Sequence, residues 1–264
     1  MTRLHLAVGM MFFLALTSCS HDDDPVPEPD NTPLQLVKKI TRREIGGSLK
    51  TDSTAYTYDA EAHLTAVINL STTWPLQKML YTGDNMTALI TYINEVPDTL
   101  ENPVSLSNGG NTIVVDFTRP VTAAVTDTTL VTYQWQGDKL LESSTYLHLV
   151  TPPMQSLQRK VFSHDAAGNE TEQTTIPGIG DPQVDWRILE FDQQKNYFHD
   201  IPRLNYIFGT WGFPYATRSI NNPVKAELYG EVVEYSWTYN AAGYPLTMKV
   251  KGKDYVAAEF YYNR

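Results

Sequence analysis

The stretch Tyr235-Ser236-Trp237-Thr238-Tyr239-Asn240-Ala241-Ala242-Gly243-Tyr244-Pro245-Leu246-Thr247-Met248-Lys249-Val250 decides the fold. Val233, Tyr235, Trp237 and Tyr239 fall on one parity, and Glu234, Ser236, Thr238 and Asn240 on the other. After the turn, Leu246, Met248 and Val250 alternate with Thr247, Lys249 and Lys251. A period of two over this length predicts two half-buried strands. Asn240 opens the turn by accepting a local backbone hydrogen bond, and Gly243 supplies the positive φ that its exit needs. The unit is a β-hairpin with one apolar and one wet face.

The unit recurs. Tyr56-Thr57-Tyr58-Asp59-Ala60-Glu61-Ala62-His63-Leu64 is one copy, with Ala62 in the glycine position, at a cost of about 1 kcal/mol if positive φ is kept there. Phe162 to Asn169 is another copy. Tyr81-Thr82-Gly83-Asp84 and Tyr133-Gln134-Trp135-Gln136-Gly137-Asp138 use Gly-Asp as a two-residue turn. Five such hairpins make the repeat the organising principle of the chain. Between them, Leu36 to Ile45, Ile113 to Phe117 and Val184 to Phe191 read as further strands, Pro97 to Gly110 as a polar loop, and Tyr255 to Tyr262 as the closing strand. About fourteen strands result, and an antiparallel meander of that length has to curl, close or split into stacked sheets.

Hydrophobic residues make up 42% of the 264, enough for a core, and 16 Tyr with 5 Trp favour strands over helices. The formal net charge is −10, part of it in a run at residues 22–30. With no basic cluster, the chain is a poor nucleic-acid binder.

The first eighteen residues read as a signal peptide. Arg3 is the charged n-region, and Leu4 to Leu16 is too short for a comfortable span. The run ends in Leu16-Thr17-Ser18-Cys19, which resembles the bacterial lipoprotein signal, and the resemblance implies that Cys19 is the lipidated first residue of the mature chain. Ser20-His21-Asp22-Asp23-Asp24 resembles the surface-export signal of Bacteroides-type lipoproteins, implying an outer-membrane protein that faces the cell exterior. Residues 19–33 form an acidic, Pro-rich tether, and residues 34–264 form the β domain.

Repeats of the form Tyr-x-Tyr-Asp-x-x-Gly-x-Leu resemble the YD repeats of large secreted bacterial proteins. The order of Tyr56 to Val67, Phe191 to Phe198, Ser219-Ile220-Asn221-Asn222-Pro223-Val224 and Tyr239 to Pro245 resembles an uncharacterised lipoprotein family of Bacteroides-type bacteria with a porin-like fold. Asn196-Tyr197-Phe198 stands where that family has Asn-Pro-Phe. The resemblance implies an all-β, barrel-like domain, and brings no activity and no catalytic residues. The anchor and short turns favour a soluble barrel, porin-like or lipocalin-like, with Tyr235, Trp237 and Tyr239 pointing inward; a membrane barrel would point them at lipid.

Chemistry is sparse. The chain has no Gly-x-Ser-x-Gly elbow, no phosphate loop and no His-Glu-x-x-His, so no catalytic residues, cofactor or metal are assigned. His63 and His164 sit in turns, where exposed polar residues are expected. Glu142, Glu170, Glu172, Asp185 and Glu190 lie on strands; two of them facing each other could cleave a glycosidic bond, while a solvated outer face is the default. Trp74, Trp135, Trp186, Trp211 and Trp237 could stack on sugar rings, though on alternating strands such residues usually fill the core. The segment from Phe191 to Pro214 lacks period two; a short helix or an irregular plug fits it. Its Trp211, bracketed by Gly209 and Gly212, with Tyr206, Phe208 and Phe213, is the candidate ligand-binding cluster. The expected function is binding of a glycan or other exported ligand at the cell surface. An accessory subunit docking on envelope proteins is the alternative, and a glycoside hydrolase is a third.

Overall fold

The computed structural model describes residues 34–70, 75–91, 100–107, 111–122, 125–148, 155–197 and 219–263. In chain order the strands are β1 (Leu36–Ile45), β2 (Ser48–Tyr58), β3 (Leu64–Asn69), β4 (Pro75–Thr82), β5 (Asn85–Thr91), β6 (Leu100–Ser107), β7 (Thr112–Thr122) and β8 (Val125–Gln136). They continue with β9 (Lys139–His148), β10 (Gln155–His164), β11 (Glu170–Pro177), β12 (Gln183–Lys195), β13 (Asn221–Leu228), β14 (Glu231–Tyr239), β15 (Pro245–Val250) and β16 (Ala258–Tyr262). Each pairs antiparallel with its chain neighbours, and β1 pairs with β16 to close the barrel. Closure removes the two free edges that a meander otherwise leaves.

The sixteen strands exceed the fourteen expected by β6 and β13. Pro103 and Pro223 with their neighbouring asparagines disguise both as loop, so Pro97 to Gly110 is not a polar loop throughout. Pro lacks the ladder donor, and β13 accommodates Pro223 beside an irregular register with β12. The strand from Val184 also runs on to Lys195, so Phe191 to Lys195 is strand and not an irregular segment. At the other end, the closing strand begins at Ala258 rather than Tyr255.

The expected hairpin parity holds on β14. Tyr235 is buried, and Ser236 and Thr238 are exposed. On β15 a bulge shifts the register, pairing Tyr239 with Pro245 and Thr238 with Thr247. Pro245 and Met248 are therefore buried, and Leu246, expected inside, is exposed. Leu36, Tyr56, Leu64, Met79, Val115, Trp135, Leu140, Phe162, Trp186, Met248 and Phe260 join one inner core.

The outer wall is polar. It carries the ion pairs Arg42–Glu259, Arg187–Glu172 and Lys251–Glu234, and the cross-strand pairs Thr57–Thr65 and Thr238–Thr247. A membrane-spanning barrel turns its apolar residues outward. On this wall the polar pairs stand among single exposed apolar residues such as Leu141, Leu189 and Leu246.

Three five-residue turns share one design. Asp59, Asp165 and Asn240 each accept the backbone amide four residues on (His63, Asn169 and Tyr244) through the side-chain Oδ1. The fourth residue of each turn has positive φ: Ala62 at 70°, Gly168 at 97° and Gly243 at 82°. Just inside the barrel, aromatic tips tie down the carbonyls of the neighbouring strand. Tyr58 donates to Leu36 O (2.8 Å), Tyr81 to Leu64 O (3.0 Å), Tyr262 to Pro245 O (3.0 Å) and the Trp237 indole to Pro223 O (2.8 Å). The aromatic period read from the sequence thus fills the core and fastens the hairpin starts.

Candidate functional site

All these turns lie at one end of the barrel, with the start of β1 and the end of β16; this is the turn end. The other end carries the connections β1–β2, β11–β12 and β13–β14, whose described residues are exposed; this is the open end. Inward positions change along the wall. On β14, Tyr235 is buried, Val233 half-buried and Glu231 exposed. On β1, Leu36 is buried, Thr41 half-buried, and the Arg43 side chain 66% exposed. These strands are packed at one end; at the other, Arg43 and Glu231 lie on hairpin ends that extend past the pairing with β16 and β15 and are exposed.

Lys39 sits at the boundary. A bulge at the start of β1 pairs Leu36 with Tyr262 but Lys38 with Tyr261. This moves Lys39 into phase with Leu36, onto the inner face, between Phe260 and Thr54. The residue is only 9% exposed, and its amine lies 5.5 Å from the centre of the Tyr197 ring. Burial pushes its pKa from 10.5 down to about 8. The Tyr197 ring packs on Phe260, centroids 4.7 Å apart, and Phe260 stacks on Trp237 at 5.9 Å. Burial first, then the neighbouring Tyr56 and Tyr262, push the Tyr197 hydroxyl well up, so it stays a protonated donor.

Tyr197 is fixed by a polar clamp joining the end of β12 to the start of β13. Asp192 accepts the Asn222 amide (3.0 Å), the Gln194 amide (3.0 Å) and the Tyr239 hydroxyl. Asn222 Nδ2 donates to Lys195 O at 2.8 Å, and the Asn196 amide donates to Ile220 O at 2.9 Å. Asn169 and Asn221 pair through two hydrogen bonds of 2.8 and 3.2 Å. The two motifs singled out in the sequence, Phe191 to Phe198 and Ser219 to Val224, thus meet in one clasp.

A second cluster bridges adjacent turns. His63 contacts Asp59 through Nδ1 (3.0 Å) and Asp84 through Nε2 (3.3 Å), and stacks on Tyr81 at 4.7 Å. Its side chain is 19% exposed, so this turn histidine is more enclosed than expected. The hydrogen bond to Asp59 raises the His63 pKa against the loss of solvation, and Asp84 adds to the rise. Loss of solvation works upward on Asp59, but His63 and the Glu61 amide together hold its pKa below the ordinary value.

The strand carboxylates do not converge on an acid-base pair. Glu172 takes Arg187 (2.8 Å) and Thr174 (3.1 Å); Asp185 takes Gln173 and Thr175, both at 2.6 Å; Glu142 takes Ser144 (2.8 Å) and Arg159 (3.4 Å). Glu190 is exposed. Glu170 departs from the outer-face default: it is fully buried, its amide held by Ser219 Oγ at 3.0 Å. Trp135 and Trp186 are core, and Trp237 is half-buried within it. Cys19, Trp74, Tyr206, Phe208, Trp211 and Phe213 lie outside the described residues. Sequence reading missed Lys39, and its only signal was a spacing of three from Leu36, which implies a bulge.

Fold and wall define a closed, sixteen-stranded, antiparallel barrel with an apolar interior and a polar exterior. The chain is similar to a porin-like protein from Bacteroides vulgatus, with TM-score 0.51 and 10% identity over 88% of this chain and 99% of that one. It is also similar to a porin-like protein from Bacteroides uniformis, with TM-score 0.46 and 13% identity over the same shares. The first likeness establishes the fold. No family model and no curated protein matches the chain.

Proposed function

We propose that the protein is a lipid-anchored binding module of the outer-membrane surface, holding an exported ligand such as a glycan at the open end of the barrel. The observation that carries this reading is the division of the described strands into a packed turn end and an exposed open end. Cys19 is the anchor and residues 19–33 the tether, in keeping with membership of the Bacteroides-type lipoprotein family that the motifs resemble. The interior is too apolar for a water-filled conduit and suits a ligand with one flat hydrophobic face. Binding of the full-length protein to a glycan panel tests the reading; a broad panel without a single saturable interaction overturns it. Cys19→Ala is expected to abolish labelling by a radioactive fatty acid and to move the protein out of the membrane fraction.

The alternative, an accessory subunit of an envelope complex, is favoured by a different observation. Leu157, Ile179, Val184, Tyr229 and Val232 are exposed near the open end, with Ile179 97% exposed. Gly178 donates to Leu157 O and Tyr229 to Asp185 O, so these residues stand on neighbouring strand ends along one rim. Exposed apolar arcs are docking surfaces. Cross-linking from Tyr229 in intact cells distinguishes the readings: a discrete protein adduct favours the subunit, and its absence alongside glycan binding favours the module.

A further inference from the structure

The three five-residue turns share one frame, and one of them carries ligand atoms that the frame does not need. In each, the first residue (Asp59, Asp165 or Asn240) accepts the amide of the fifth. The third and fifth positions are Ala167 and Asn169 in the second turn, and Ala242 and Tyr244 in the last. The frame therefore holds without a carboxylate at the third position or an imidazole at the fifth. The first turn has both, as Glu61 and His63. Asp59, Glu61 and His63 each bring one ligand atom to within 4.8 Å of the others, and among the described residues they are the one such group. His63 Nδ1 and Asp59 Oδ2 lie 3.0 Å apart. Two ligands at about 2.1 Å from a tetrahedral zinc ion stand about 3.4 Å apart, so this pair has to part by only about 0.4 Å. The surroundings are those of a metal-bound imidazole. Nε2 faces Asp84 Oδ1 at 3.3 Å. The ring lies flat on Tyr81, whose hydroxyl is pinned to Leu64 O at 3.0 Å. Asp59 Oδ1 is held by the amides of Glu61 and His63, which leaves Oδ2 for an ion. Histidine ligands give their second ring hydrogen to a carboxylate or carbonyl, and ligating carboxylates are hydrogen-bonded in turn.

We propose that Asp59 Oδ2, Glu61 and His63 Nδ1 bind a zinc ion, with water in the fourth position and Asp84 orienting the imidazole. One imidazole and two carboxylates suit zinc better than calcium or magnesium, which take oxygen ligands. Binding releases the proton of Nδ1 to solvent, while Nε2 keeps its hydrogen for Asp84. Asp59 and His63 are half-buried and Glu61 is exposed, so the ion enters from the turn-end surface and Glu61 swings in as the third ligand. The ion ties residue 59 to residue 63 and, through Asp84, the β2–β3 turn to the β4–β5 turn. The proposal is independent of the ligand-binding reading above.

The test uses metal-stripped, full-length protein in dilute detergent, carrying no histidine tag, titrated with zinc chloride or calcium chloride by calorimetry and melted with and without each ion. His21 and Asp22 to Asp24 also carry ligand atoms, so the readout is the equivalent of zinc that a variant loses, not the total. Glu61→Ala and His63→Asn put into this turn the residues that its sister turns already use, so both variants keep the frame. Each is expected to lose one equivalent of zinc. Zinc should raise the melting temperature of the parent protein by several degrees and leave that of either variant unchanged, because an ion held only by the tail does not stabilise the barrel. Asp84→Asn should weaken the site about ten-fold, and Asp181→Asn, in a distant exposed turn, should not change it. Calcium should bind at least about a hundred-fold more weakly than zinc. Absence of a zinc-dependent melting shift overturns the proposal, and so does an equivalent of zinc or a melting shift that survives His63→Asn or Glu61→Ala. Calcium binding as tight as zinc also overturns it, since it marks acidic surface without a role for the imidazole.

Discussion

The strands that begin at Leu36, Leu64, Lys139 and Pro245 bury those residues or their immediate neighbours at the turn end. Where the chain turns back at the open end, Ile45, Leu49, Ile179 and Tyr229 stand exposed. The same wall therefore does two jobs. At the turn end, side-chain oxygens satisfy the turn amides, aromatic tips satisfy the first carbonyls, and a clasp joins β12 to β13. At the open end, the hairpins hold together through backbone pairing and surface charges such as Lys253–Glu44 at 3.1 Å. Solvent-exposed pairs of this kind contribute little, so stability concentrates at the turn end and the open end is left adaptable.

The sharpest way to break this comparison is to hollow out each end. Leu64→Ala or Met248→Ala is expected to cost about 3 to 4 kcal/mol in urea unfolding, because a fully buried side chain leaves a cavity. Val232→Ala at the open end should stay within about 0.5 kcal/mol. Equal costs would show that the two ends share one stability.

Lys39 marks the boundary, and its effect depends on pH. Its pKa is about 8 in the folded chain and 10.5 when exposed. Between those values the unfolded chain holds the proton and the folded chain does not, so stability rises with pH there. The penalty is complete below about pH 8 and gone above about pH 10.5. Lys39→Met should therefore stabilise the barrel by up to about 3 kcal/mol at pH 7, fading toward nothing near pH 11. Melting curves across this range check both the sign and the window.

The turns give a smaller test. Ala62 holds φ of 70°, so Ala62→Gly should stabilise by about 1 kcal/mol. Gly243→Ala should lose at least as much, because its new Cβ also meets Gln194 Oε1 at 2.9 Å. The smallest effect is at His63. Its pKa is raised in the folded state, so the contacts with Asp59 and Asp84 contribute fully below the ordinary histidine range and are lost as pH rises through the folded value. The His63→Asn variant should lose this pH dependence, as seen by comparing melting points at about pH 5 and pH 8.

What could be read from the sequence follows the same division. The turn end was legible because its signals are local: an aromatic period of two, an Asp or Asn opening the turn, and a glycine position that kept positive φ even when filled by Ala62. β6 and β13 were hidden by Pro103 and Pro223, residues that local rules assign to loops and that closure of the barrel overrides. The clasp was illegible because Asn169 and Asn221 meet across 52 residues, and no window of sequence records that contact. Lys39 was hidden by one bulge, since a single-residue slip moves a side chain to the other face. Leu246 went wrong for the same reason.

The pairing of β1 with β16 also sets a timetable. Every other pair joins chain neighbours, so those hairpins can form as soon as their residues are available. The seam joins residues more than two hundred positions apart, with Arg42 meeting Glu259. Its partner β16 is five residues long, and it comes last. Until then β1 presents a bare row of amides and carbonyls that any other unfinished copy can pair with. The interval between the making of the first strand and the arrival of Ala258 is when the chain is most exposed to association with its own kind, and it lengthens with everything that slows the chain's last stretch.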